Sequence, residues 1–456
     1  GRESNDVYGE TFNGITGATD MDGLPSGIDP YIVPGDPESG LLPGVNADAG
    51  GEVGEGDDRV QAYNFRWTLT TDPAKMVAVE KPENYDVADY ELLLRALEKG
   101  QSLELTFKTT RTIPNTIQNE DGSFTTSSGG KKVDSNNNSG ISTDLVGGSY
   151  DYPEGDWETR AKIVQAHEDY QKGLLWTLQN SSRVPADMRN YFAQWGLCAD
   201  EFAENDYWPT QIYVRESRRM VSDFVVTQHV CRQNSTVYVE DSIGMGSYSM
   251  DSHHIQYIVK DGQVRAEGDF FAATSPYSIS YRAIVPKANE CTNLLVPVCL
   301  SASHAAYGSI RMEPVFMVLG QSAATAAALA IDSGVSVQEV NYNLLADRLT
   351  QDGQVLRNGN SGSEEQPPLI GEDAIVYPME ENEEYVAVLD VQGTPQNELY
   401  GYYDTKYAMA PSTKYNRVYT AKAGDYIEFE IEVEKAGTYS VSAQTYLQDS
   451  RGTYRL

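Results

Sequence analysis

Positive charge is what this sequence has least of: 34 Lys and Arg stand against 67 Asp and Glu, a formal charge of −33 over 456 residues. A surface that acidic repels phosphate backbones and anionic lipid, so nucleic acid and membrane surfaces are poor partners. Cysteine is scarce as well. The four, Cys198, Cys231, Cys291 and Cys299, form no C-x-x-C pair, which leaves zinc ribbons and thioredoxin-like sites without support. They read as buried free thiols, with one disulfide still open, and they do not fix the redox compartment. Histidine numbers 5, and neither a third histidine nor a spaced carboxylate accompanies the pair His253-His254. No metal is expected there. Long apolar runs are missing too. The longest, Val315 to Ile331, is interrupted by Gly320-Gln321-Ser322 and Thr325 and is rich in small residues, so it reads as a buried helix, not a membrane span. The opening Gly1-Arg2-Glu3-Ser4 lacks the basic start and apolar core of a signal peptide.

What is present is globular. A composition 40% hydrophobic and 10% aromatic over this length supports two or three domains with sizeable cores. Residues 1–66 are rich in Gly, Pro and Asp and read as long loops. A helix is expected over Val87 to Lys99, with Asp86 able to accept from first-turn amides and Gly100 as its stop. Further helices are expected near Trp157 to Gln179 and after Pro185. Asp261-Gly262 marks the turn of a hairpin across Ile255 to Ala266. Between Tyr281 and Ile331 the wiring reads as α/β: Ile284-Val285 and Leu294 to Leu300 as buried strand runs, then a small-residue loop, then a helix from about Pro314. Gly320, Ala323, Ala324 and Ala327 are expected to line that helix's close-packing face. Ser336 and Glu339 form a capping box for the next one. Residues 357–372 have the composition of a linker. Beyond it, Tyr426 to Val433 and Thr438 to Tyr446 alternate with period two around the Ala436-Gly437 turn, the pattern of an antiparallel β module. The chain reads as cut at both ends.

The chemistry-bearing pattern lies at Ser301-Ala302-Ser303-His304 and Tyr307-Gly308-Ser309-Ile310-Arg311. A helix start there presents unpaired amides and partial positive charge, and His304 with Arg311 adds donors suited to developing negative charge. An ordinary strand–loop–helix with a stabilising cap is the plainer reading. Of His253 and His254, adjacent in an extended segment, at most one faces the site, because successive side chains point to opposite faces. Either is a candidate proton carrier. Asp57-Asp58-Arg59 and Gln61 to Arg66 combine charge, amide and aromatic groups and read as a buried Arg–Asp pair holding a loop, and Asn136-Asn137-Asn138 as a turn or as polar groups beside the active site.

The ordered set of segments also resembles a known family. Gly1 to Ser4, Gly56 to Arg66, Tyr213-Val214-Arg215-Glu216, Gly246 to Tyr248, Asp251 to His254, Tyr281 to Lys287, Asn293 to Val296, Ser301 to His304, Gly308 to Met312 and Gly320 to Ala328 are similar to FAD-dependent oxidoreductases whose members often carry the label xanthan lyase. The resemblance implies FAD, with Ser301, Ser303, Gly308, Ser309, Gly320 and Gln321 lining the cofactor and His304, Arg311, His253 or His254 acting in catalysis. It also implies that Asp57-Asp58-Arg59 and Gln61 to Arg66 form part of a substrate-facing wall. Two departures stand out. No Gly-x-Gly-x-x-Gly opens a helix after a strand, and Pro297-Val298-Cys299 occupies the step where a small-Gly-Arg sequence is expected. From about Asp373 onward, Lys422 to Asp425 and Glu434 to Tyr439 resemble golvesin-like or jelly-roll modules of secreted carbohydrate-active proteins, which implies an extracytoplasmic location.

The expected architecture is therefore an incomplete FAD/NAD(P)-binding-like α/β fold with an α+β substrate domain and a C-terminal β-sandwich. Its segments are a substrate domain over 1–280, part of the cofactor domain over 281–356, a linker over 357–372 and the module over 373–456. The expected activity is hydride transfer between flavin and a small or sugar-derived substrate. A polysaccharide lyase working by β-elimination and a non-catalytic carbohydrate-binding protein stand as alternatives. Nothing in the sequence sets an oligomeric state.

Overall fold

The computed structural model describes residues 1–18, 23–46, 51–102, 115–118, 123–127, 132–138, 140–235 and 237–357, together with the strands Val386–Gln392 and Tyr426–Ile431. The chain divides into two compact units, Gly1–Gly359 and Asn360–Leu456. In the first, the helices are α1 (Asn5–Tyr8), α2 (Glu91–Glu98), α3 (Trp157–Asn180), α4 (Ala186–Phe192), α5 (Gln228–Cys231), α6 (His304–Ile310), α7 (Glu313–Ser333) and α8 (Tyr342–Gln351). Its strands are β1 (Val45–Asn46), β2 (Trp67–Thr70), β3 (Met76–Val77), β4 (Asn115–Gln118), β5 (Phe124–Ser127), β6 (Lys132–Ser135), β7 (Gly196–Cys198), β8 (Ser242–Gly246), β9 (Met250–Ser252), β10 (Gln256–Lys260), β11 (Gln263–Glu267), β12 (Phe270–Ala272) and β13 (Tyr277–Ser280).

This unit has two hydrophobic cores. The first gathers Phe65, Trp67, Leu94, Leu174, Phe192 and Trp208 between the antiparallel sheet β3-β7-β2-β6 and helices α2 to α4. Helix α2 buries Leu92, Leu93, Leu94, Ala96 and Leu97. It is preceded by a 3₁₀ turn over Val87–Tyr90, whose cap is Asp86 accepting from Ala88 N at 2.9 Å. Gly100 stops it at φ 98°, a conformation that a Cβ disfavours. From α2, Arg95 donates to the carbonyls of Asp29, Tyr31 and Ile32, which ties one of the expected long loops to the core. The hairpin β10–β11 forms as the sequence indicates, with Asp261 and Gly262 at φ 52° and 72°, both left-handed as a tight primed turn requires.

The second core gathers Val226, Ile243, Ile279, Ile284, Ile310 and Leu319 from residues 226–349, so it begins well before residue 281. Here α6 packs on β9 and α7 on β8. Two strand expectations are overturned. Tyr281–Ile284 is a 3₁₀ turn, and 294–300 is irregular, with Leu294 49% and Val298 45% exposed. Pro286 and Pro297 remove ladder donors, and only single bonds, such as Val296 N to Ile284 O and Ser301 N to Ala283 O, tie the segment to its neighbours. The packing face of α7 also differs from the expected one. Val315, Leu319, Ser322, Ala323, Ala326 and Ala330 are buried, Ser322 Oγ donating to Ile243 O at 2.7 Å, while Ala324 is exposed and a Cβ on Gly320 would meet nothing within 4 Å. Helix packing is read every three to four residues from Leu319, and the small-residue run straddles that face. The Ser336–Glu339 capping box is present and opens a 3₁₀ turn ahead of α8.

In the second unit, Val386–Gln392 and Tyr426–Ile431 pair as antiparallel strands. The expected linker beyond 357 and the expected strand Thr438 to Tyr446 lie outside the described residues.

Candidate active site

A polar seam separates the two cores, and α6 forms one wall of it. Ser303 caps α6, its hydroxyl accepting from Ala306 N at 3.3 Å and donating to Glu10 Oε1 at 2.8 Å. His304 N donates to Glu3 Oε2 at 3.1 Å and Ala305 N to Asn13 Oδ1 at 3.0 Å. The N-terminal segment thus satisfies the first-turn amides, so the tip of α6 presents no open anion cradle of the kind the sequence implied. A Cβ on Gly308 would stand 2.4 Å from Asp251 O, so glycine there permits the close approach of α6 to β9. Ser309 is hydrogen-bonded to Tyr277 Oη at 2.6 Å and to Tyr248 O, and Ser301 Oγ accepts from Ser222 N at 3.1 Å. Gln321 is exposed on α7 beside Gly320. The structure therefore places Ser301, Ser303, Gly308 and Ser309 in internal bonds or packing, with Gly320 and Gln321 away from the seam.

The seam does bring together His304, Arg311 and His253. His304 Nδ1 lies 2.8 Å from Glu216 Oε2. Gln61 donates to the same carboxylate at 3.0 Å and accepts from His253 N at 3.2 Å, which makes it the bridge between the two histidines. His253 Nδ1 is 2.9 Å from Asp144 Oδ2, and Arg215 pairs with Asp144 Oδ1 at 2.8 Å. Arg311 Nη2 donates to Asp251 Oδ2 at 2.9 Å, and His253 Nε2 lies 3.7 Å from that same atom. Asn136 and Asn137 accept from Arg215 Nη2 at 3.2 and 3.4 Å, so the asparagine run edges this network. His254 takes the opposite side, with Nε2 3.3 Å from Asp269 Oδ2. The acidic loop at Asp57 is a structural anchor whose main partner is Arg2, which also reaches Glu267.

Electrostatics settle which nitrogens carry protons. Burial pushes Glu216 upward, but His304 and Arg219 outweigh it and hold the carboxyl well below the usual range. Burial likewise opposes ionisation of Asp144, and Arg215 with His253 overcomes it. Both carboxylates are therefore ionised and can only accept, so Nδ1 of each histidine donates. In the neutral ring of His253, Nε2 then keeps its lone pair. Burial first, and the charge of Arg215 second, lower the pKa of His253, which keeps it neutral near pH 7. A histidine oriented by a carboxylate at Nδ1, with a lone pair on the other nitrogen, is the arrangement of a general base, and here Asp251 stands 3.7 Å from that second nitrogen.

Three of these side chains hold donors or acceptors that the protein does not use. His304 Nε2, Arg311 Nε and Nη1, and Arg215 Nε are buried without a hydrogen-bond partner among the described residues. His304 and Arg311 are 1% and 4% exposed. An unmatched buried donor costs about 1–3 kcal/mol, more when charged, so the unpaired nitrogens of Arg311 and Arg215 are where an electron-rich ligand atom would be stabilised. A family model described as FAD dependent oxidoreductase matches residues 1–349. The chain belongs to the FAD dependent oxidoreductase family. No curated protein and no solved structure matches it. FAD is accordingly the cofactor, and flavin oxidoreductase chemistry the general activity. The residues fit one end of that cofactor. The unmatched cationic donors of Arg311 and Arg215 suit the electron-rich pyrimidine edge of an isoalloxazine. Residues 1–456 contain no Gly-x-Gly-x-x-Gly sequence.

Asp144 escaped the sequence reading, and Arg215 and Glu216 entered it only through the resemblance. Asp144 sits between Thr143 and Leu145 with no periodic or motif signal, and it meets His253 109 positions away. Only the fold makes the pair.

Proposed function

We propose that this flavin oxidoreductase transfers a hydride between FAD and a small or sugar-derived substrate, with His253 as the proton carrier. The observation that supports it is the convergence of His253, His304 and Arg311 on one buried network with unused donors facing no protein partner. When bound, FAD supplies the two-electron chemistry. His253 holds or accepts a proton at Nε2, and Asp144 fixes its ring. Asp144, in turn, is pinned by Arg215, which keeps the ring from becoming too basic to release that proton. Arg311 binds the electron-rich edge of the cofactor and offsets charge that accumulates there. Glu216 orients His304 toward the same region.

The β module resembles those of secreted carbohydrate-active proteins, and on that likeness we place the protein outside the cytoplasm with a sugar-derived substrate. A lyase bearing the label given to related sequences would instead need a base for the sugar C5 proton and a neutraliser of the uronate, and no described spacing singles these out. Anaerobic mixing of the FAD-loaded gene product with a panel of aldoses, sugar alcohols and uronates tests the reading. Bleaching of the flavin band is expected with at least one, slowed about 100-fold or more in His253→Gln. Unsaturated product formed without bleaching would overturn it.

A further inference from the structure

We propose a second binding site, for a small oxyanion-bearing molecule, in a cavity of about 270 Å³ between the Arg232–Val239 segment and β13. Its walls include Arg232, Asn234, Tyr238, Ser278 and Arg357, and no Asp or Glu among the described residues lines it. That is unexpected in a chain with 67 acidic residues against 34 basic ones. Arg357 is fixed in place. It donates to the carbonyls of Val239 and Glu240 at 2.6 Å each and lies 4.7 Å above the Tyr238 ring, and it has no carboxylate partner among the described residues. Arg232 is exposed and has no acidic partner among the described residues. Two guanidinium groups in one concave, carboxylate-free wall focus a positive potential within an otherwise repulsive acidic surface, and guanidinium forks match carboxylate and phosphate oxygens. Asn234 holds the rim at φ 55°, a conformation that asparagine tolerates better than most residues. The volume accommodates a body about the size of a monosaccharide, below the usual range for drug-sized ligands. Tyr277 lines the cavity as well and bonds Ser309 of α6 at 2.6 Å, but Arg232 and Arg357 contribute nothing to the seam that holds His253.

Calorimetric titration of the intact gene product with glucuronate, inorganic phosphate and glucose tests the proposal. Saturable binding of glucuronate or phosphate is expected, with glucose at least 10-fold weaker. Arg232→Gln should weaken the anion at least 10-fold and Arg232→Lys should restore part of the loss, both with an unchanged melting temperature. Glucuronate bound in preference to phosphate identifies a sugar acid, and the reverse identifies a phosphate group; either supports the site. Equal binding of glucose, no binding of either anion, or an Arg232→Gln variant that binds as the parent does would overturn it.

Discussion

Arg215→Met is expected to destabilise the first unit by about 3–5 kcal/mol, because it leaves a fully buried carboxylate without its cation. Arg215 is 1% exposed and pairs with Asp144 at 2.8 Å, while Asp144 itself is 4% exposed. The substitution also strips donors from Ala62 O, Asn136 and Asn137. Met fills a similar volume without a charge, so the loss is electrostatic and not a cavity effect. Two readouts separate this account from a general packing defect. Adding Asp144→Asn should recover part of the loss, since a neutral amide removes the stranded charge. The charge of Arg215 also depresses His253, so His253 in Arg215→Met should titrate at higher pH, visible in the ring proton shifts. A variant as stable as the parent in urea would contradict the account.

The second large effect is on acid stability. Burial lowers His167 and His254 each to about 4, from about 6.5 in an unfolded chain. A group whose folded pKa is depressed contributes stability that is whole above its unfolded value and is lost as pH falls towards the folded one. The window for these two is therefore pH 6.5 to about 4. Glu216 and Asp144, also depressed, work in the same direction below the ordinary carboxylate range. Between pH 7.5 and 4.5 the two histidines together should remove on the order of 5 kcal/mol, at 1.36 kcal/mol per unit per proton. The −33 surface opposes this, because acidification relieves its self-repulsion. Roughly 0.5 M salt screens that term and exposes the buried one. The urea midpoint should then fall steeply across the window, and His167→Gln should remove about half of what His167 and His254 contribute to the slope. Equal midpoints at both ends would refute it.

Local grammar made much of the fold legible. Asp86 caps the 3₁₀ turn that leads into α2 and Gly100 stops that helix, Asp261-Gly262 turns the β10–β11 hairpin, and the Ser336–Glu339 box is formed as its spacing demands. Each depends on interactions within a few residues. What failed depended on neighbours far along the chain. Leu294 to Leu300 has the composition of a buried strand, but among the described residues no adjacent strand takes its bonds, and Pro297 interrupts any ladder. The site divides in the same way. His253, His304 and Arg311 stood out because of their residue types, and the fold unites them. The partners that give them chemistry, Asp144, Glu216 and Gln61, are brought in by long-range pairing, and the serines and glycines expected around a cofactor serve α6 itself.

On the proposed function, Arg311 faces the electron-rich edge of the flavin. The midpoint potential of FAD bound to the intact gene product, compared between the parent, Arg311→Lys and Arg311→Met, tests it most directly. Losing the cation should disfavour the reduced cofactor, lowering the two-electron potential of Arg311→Met by about 30 mV or more, the equivalent of a tenfold change in the equilibrium, with Arg311→Lys in between. A potential unchanged in Arg311→Met, with FAD still bound, would contradict the claim.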